Sequence, residues 1–141
     1  VTYKIPRQTV RLVRDGSPTE APRVITADVA RRVFRSLMPE DLPHEEVHVL
    51  CLDAKNRAIA TFMVARGGGD GAGVYPADIL RPVLVSGARA FLMAHNHPSG
   101  DPAPSLADID MTAKVRESAK VLGVPLLDHI VLGEGDSFAT C

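Results

Sequence analysis

Three residues with metal-binding side chains stand at close spacing late in the chain: His95, His97 and Asp108. With Ser105 they form the pattern His-x-His-x7-Ser-x2-Asp. A short apolar run, Ala90-Phe91-Leu92-Met93-Ala94, precedes the histidines and reads as a buried strand. Side chains alternate faces along a strand, so His95 and His97 are expected to point the same way. Two neutral imidazoles held side by side can share one ion. Asp108 follows eleven residues after His97, past a proline-rich loop and near the start of a helix, from which it can swing back as a third ligand. Two histidines and one aspartate leave a fourth tetrahedral position open, the arrangement of a catalytic zinc rather than a structural one. The same positions also fit a plainer role. Ser105-x-x-Asp108 before an apolar-periodic segment is a helix capping box, and His95 and His97 would then be ordinary loop histidines. Capping and coordination are compatible, because Ser105 can cap while Asp108 reaches an ion.

The elements around this stretch follow from periodicity and punctuation. Residues 8–14 mix β-formers with arginine and suggest an edge strand, followed by a turn at Asp15-Gly16-Ser17-Pro18. Thr26 is placed to cap a helix whose apolar face is Val29, Ala30, Val33, Phe34, Leu37 and Met38, and Pro39 stops it. Glu45 to Leu52 reads as a strand, Asp53 to Arg57 as a turn and Ala58 to Val64 as the return, giving a hairpin. Gly67 to Gly73 is glycine-rich and suits a mobile flap beside the site. It does not suit a phosphate cradle: the G-x-x-x-x-G-K-[ST] pattern is missing, and Pro76 has no N–H to offer at the next helix. That helix spans Pro76 to Ser86 with Gly87 as its stop, and Pro82 inside it predicts a kink or an early end. After the Ala90–Ala94 strand comes a helix from Leu106 to Leu122, its inner face formed by Ile109, Thr112, Val115, Ala119 and Leu122. A strand at Leu126–Leu132 and a last short strand at Ser137–Thr140 close the chain. Helices interleaved with a mostly β scaffold predict an α/β fold, a mixed sheet sandwiched by helices. At 141 residues, one domain over 1–141 is expected, with 1–25 as an N-terminal strand and loop extension.

Composition narrows the classes. Hydrophobic residues make up 45% of the chain, enough for a core, but Trp is absent and aliphatic residues must fill it. No run of about 18 apolar residues occurs, so no membrane-spanning helix is expected. The opening Val1-Thr2-Tyr3-Lys4 lacks the apolar run of a secretory leader. Cys51 and Cys141 do not make a disulfide framework, and a reducing cytoplasm fits. The net charge of −1 gives no overall basic footprint for nucleic acid. Residues 1–35 nevertheless hold eight Lys/Arg against three acids, a local +5 that suits phosphates, an acidic partner or simply a solvated face.

The pattern His95-x-His97-x7-Ser105-x2-Asp108 resembles the JAMM motif of the JAB/MPN metalloprotease superfamily. Two separate strings, His95-Asn96-His97-Pro98-Ser99-Gly100-Asp101-Pro102 and Leu127-Asp128-His129-Ile130-Val131-Leu132-Gly133, are similar to its RadC branch. The likeness covers roughly residues 40 to 141. The contiguous His-Asn-His triplet is unrelated to HNH nucleases, which are named for residues dispersed through a ββα-metal unit. The resemblance implies an MPN/JAB fold related to cytidine deaminases. It also implies one Zn²⁺ per chain on His95, His97 and Asp108, a glutamate opening an early strand as general base, and Ser105 as a hydrogen-bond donor to the oxyanion. Glu45 and Glu46 both stand at that strand start. Glu45 matches the family spacing through Val47, Val49, Leu52, Asp53 and Asn56, and strand phase puts it on the face of Val47 and Val49.

The implied substrate is a peptide or protein amide, a ubiquitin-like partner among them. The rival expectation is a non-proteolytic module that acts in DNA repair or binds a protein partner, with DNA reached through Arg11, Arg14, Arg31 and Arg32. Nuclease chemistry ranks below both, since one His₂Asp site lacks the paired metals of phosphodiester hydrolysis. Two departures from the RadC pattern are expected: the glycine-rich flap, and no helix-hairpin-helix module ahead of the domain. Asp128 and His129 are a polar pair in an apolar strand. They either hold a ligand histidine in one tautomer or form a buried structural pair; His129 as a fourth ligand would close the site to water. His44 and His48 are expected at the surface or half-buried, and Asn96 and Ser99 are expected to hold the loop backbone.

Overall fold

In the computed structural model, which describes residues 2–11, 21–67 and 74–141, alternation along the strands sorts apolar side chains onto two faces of one sheet. The elements are α1 (Ala27–Leu37), β1 (Glu45–Leu52), β2 (Ala58–Gly67), α2 (Pro76–Ser86), β3 (Ala90–Asn96), α3 (Leu106–Leu122), β4 (Leu126–Leu132) and β5 (Phe138–Thr140). The strand order is β2-β1-β3-β4-β5. Among the described strands only β3 and β4 pair in parallel, and α3 is the long crossover such a pair needs. All seven residues of the central β3 are buried, which explains its unbroken apolar run.

Odd-numbered residues of the central strands, Val47, Val49, Cys51, Phe91 and Met93, pack on Ile79, Leu80 and Val83 of α2 and on Val115 and Ala119 of α3. Even-numbered ones, Leu50, Leu52, Leu92 and Ala94, join Ile130 and Leu132 against Ala30, Phe34 and Met38. Helices therefore cover both faces, and the chain is the expected α/β sandwich. Phe34 and Phe91 are fully buried, one in each layer, and replacing either by alanine is expected to cost about 3–5 kcal/mol. Among the described residues, no helix is long and apolar enough to cross a membrane.

Several local expectations are corrected. Residues 8–11 are exposed and form no strand, since no strand among the described residues offers them a ladder; residues 12–14 of the expected edge strand lie outside the described residues, as do residues 68–73 of the expected flap. Pro82 does not end α2 early. The helix runs on to Ser86 and stops at left-handed Gly87, because burial of Ile79, Leu80 and Val83 outweighs one missing backbone bond. Burial on α3 is confined to Thr112, Val115 and Ala119. Ile109 and Leu122, expected on the inner face, are about half exposed at the two ends of that row (51% and 49%). Strand β3 continues through His95 and Asn96, and β5 begins at Phe138.

Candidate metal centre

The register of the sheet brings the site together. Val47 of β1 lies opposite His95 of β3, so Glu45, two residues earlier on the same face, stands beside the end of β3. His97 has just left the strand, its N–H held by the Leu132 carbonyl. Asp108 occupies the third position of α3, in a capping box: Ser105 Oγ accepts from the Asp108 N–H at 3.0 Å, and Asp108 Oδ2 accepts from the Ser105 N–H at 2.8 Å.

Glu45, His95, His97 and Asp108 each offer one donor atom, all within 4.8 Å of one another. His95 Nε2 and His97 Nε2 are 3.0 Å apart, and each is 3.2 Å from Asp108 Oδ2. This near-equilateral triangle approaches the roughly 3.3 Å edge expected for ligands placed tetrahedrally about zinc at about 2.0–2.1 Å. Glu45 Oε1 is 3.6 Å from His95 Nε2, at the rim of the triangle. The donor set, two imidazoles and a carboxylate with a second carboxylate at hand, suits zinc chemically. Both rings present Nε2 to the centre because Nδ1 is occupied elsewhere. His97 Nδ1 donates to the Asp101 carbonyl at 2.8 Å, and His95 Nδ1 lies 2.7 Å from His129 Nε2.

Asp108 is kept ionised. Burial pushes Asp108 up, but the adjacent His95 ring and the hydrogen bond from the Ser105 backbone outweigh it and hold its carboxyl well below the usual range. Burial, then the adjacent His95, press the His129 imidazole down to about 3, so it is neutral at pH 7. Among the described residues, the cluster is the only such grouping of potential ligands.

Glu46 is turned to the opposite face. Its carboxylate accepts from His44 Nε2 at 3.0 Å and from His48 Nε2 at 2.8 Å, and these bonds, led by His48, lower its pKa. His48 is buried, deeper than the surface or half-buried position expected of it, with a charged partner. Asn96, between the two site histidines, also faces that side. Its amide accepts from the Glu46 N–H at 2.8 Å and donates to the His44 carbonyl at 2.9 Å, tying the start of β1 to the end of β3. Asn96 thus holds the approach to Glu45 as well as its own loop.

Asp128 and His129 have different roles. Asp128 caps the His129 N–H at 2.8 Å, while His129 is fully buried against His95. The residue missed by pattern reasoning is Thr112. It appeared as one more member of an apolar row, yet its hydroxyl lies 2.6 Å from His129 Nδ1. Its only sequence signal was a hydroxyl where the helix face was otherwise aliphatic. Ser105 Oγ is engaged as the helix cap.

A model of the RadC-like JAB domain matches residues 24–140. A UPF0758 protein of Carboxydothermus hydrogenoformans is 52% identical over 90 residues, covering 64% of this chain and 40% of its own length. One from Azotobacter vinelandii is 42% identical over 126 residues, covering 89% of this chain and 53% of its own. One from Syntrophotalea carbinolica is 36% identical over 122 residues, covering 86% and 51%. The chain spans about half or less of the length of these curated relatives.

Proposed function

We propose that this chain, which belongs to the RadC-like JAB domain family, is a zinc-dependent hydrolase of peptide or isopeptide amide bonds. The observation that carries the proposal is the convergence of Glu45, His95, His97 and Asp108 from three separate elements onto one small volume. His95 Nε2, His97 Nε2 and Asp108 Oδ2 would hold the ion. Zinc there would supply Lewis acidity, polarising the scissile carbonyl and acidifying water. Glu45 Oε1 takes the proton from the attacking water and returns it to the leaving amine, so the carboxylate ends as it began. Ser105, whose oxygen accepts from the Asp108 N–H, keeps its own hydroxyl proton free to donate to the oxyanion. The buried floor of the site, His95 and the neutral His129, excludes water from beneath the ligands.

Metal content by mass spectrometry tests this, on protein purified without chelator and on His97→Ala, alongside fluorogenic peptide and ε-lysyl isopeptide substrates. The expected result is about one zinc per chain, lost in His97→Ala, with cleavage that follows the metal. Wild-type protein that takes up no zinc after incubation with it would sink the proposal.

A further inference from the structure

A line of buried hydrogen bonds runs from the site into α3 and ends on an atom that can only accept. His95 Nδ1 lies 2.7 Å from His129 Nε2, His129 Nδ1 lies 2.6 Å from Thr112 Oγ1, and Thr112 Oγ1 lies 2.6 Å from the Asp108 carbonyl oxygen. His95, His129 and Thr112 are each at most 1% exposed, so water does not compete for these contacts. Directions follow from the chemistry of the groups. A carbonyl oxygen has no proton, and Thr112 has one, so the hydroxyl donates to Asp108. The remaining short contact at Thr112 then requires His129 Nδ1–H as donor. A neutral imidazole with a proton on Nδ1 has a bare Nε2, which accepts, and the donor facing it is His95 Nδ1–H.

We infer that Thr112 and His129 are positioning residues that hold His95 with its proton on Nδ1, leaving Nε2 to point at the centre as a lone-pair donor. The hydrogen-bond directions need no metal; their use rests on the metal role proposed above. The chain closes on itself, because the residue whose backbone ends it, Asp108, also supplies the carboxylate that stands 3.2 Å from His95 Nε2. One helix start thus sets both the aspartate and, through two side chains, the tautomer of the histidine beside it. Partners of this kind typically alter metal affinity about 10–100-fold when removed.

The test is long-range ¹H–¹⁵N spectroscopy of histidine-labelled, chelator-treated full chain, with zinc affinity measured by chelator competition. It compares wild type with Thr112→Val, which keeps shape and loses the hydroxyl, and with Thr112→Ser, which restores it. Wild type is expected to show His95 protonated at Nδ1. Thr112→Val is expected to lose that preference and to bind zinc about 10–100-fold more weakly. Thr112→Ser should recover both. A bare His95 Nδ1 in wild type, or a Thr112→Val variant with unchanged nitrogen signals and zinc affinity, would overturn the inference. Wild type with Nδ1–H on His95 but no zinc uptake supports the orienting chain and overturns the metal role of the cluster instead.

Discussion

Glu45 and Glu46 are consecutive residues whose carboxylates lie on opposite faces of the sheet. Glu45 Oε1 is 3.6 Å from His95 Nε2, whereas Glu46 is clamped between His44 and His48. The pleat alone separates them, since adjacent side chains on a strand point to opposite sides. Glu45→Gln is expected to keep zinc and lose amide cleavage by about 10²–10⁴-fold, the usual contribution of a positioned acid–base group. Glu46→Gln is expected to leave cleavage within a few-fold. Steady-state rates with metal analysis on both variants check this, and equal losses would reject Glu45 as the base.

Asp108 serves the helix and the site with the same oxygen, Oδ2. Asp108→Asn retains an oxygen for the Ser105 N–H but no negative charge. Its zinc affinity should fall by tenfold or more while its unfolding midpoint in chelator changes little. Ser105→Ala should do the reverse, costing about 1 kcal/mol of stability as a lost N-cap and leaving zinc bound. Denaturant curves paired with chelator competition separate the two roles.

Gly133 packs directly beneath the loop that follows β3. A Cβ there would meet the Gly100 carbonyl and Ser137 Oγ at 2.5 Å and Pro102 Cδ at 2.8 Å. The backbone carbonyl cannot turn aside, so the loop that carries Asp101, the partner of His97, must shift. Gly133→Ala is expected to cost about 1–3 kcal/mol by overpacking and to weaken zinc binding as well. Unchanged urea midpoint and zinc affinity would show that the loop does not depend on this contact.

Asp53 organises the β1–β2 turn. Its carboxylate accepts from the Arg57 backbone N–H, then from the Lys55 N–H and the Arg57 side chain, and these bonds hold its pKa below the usual carboxylate range. The depressed pKa in the folded state makes the contribution present above the unfolded value of about 3.9 and lost as pH falls through the folded one. Asp53→Asn should therefore lower the urea midpoint by a constant amount from pH 7 to about 5, with the gap closing below about pH 4. A gap that persists at pH 2 would point to geometry rather than charge.

Local pattern carried much of this molecule. The spacing of His95, His97, Ser105 and Asp108 located the cluster, strand phase separated Glu45 from Glu46, and Thr26 and Gly87 marked helix ends where the chain turns. Such features depend on residues within a few positions of one another, whose relation is set by a strand period of two or a helix period of 3.6. Other features depended on which distant segments meet. The parallel pairing of β3 with β4 sets Met93 opposite His129 and brings that histidine against His95. The crossover through α3 lays Thr112 on the far side of the same ring. Asn96 became a clamp because β1 starts beside it, and Pro82 stayed helical because the sheet buries its neighbours. These contacts join residues 17 to 50 positions apart. Packing of the two layers decides them, and local period does not encode it.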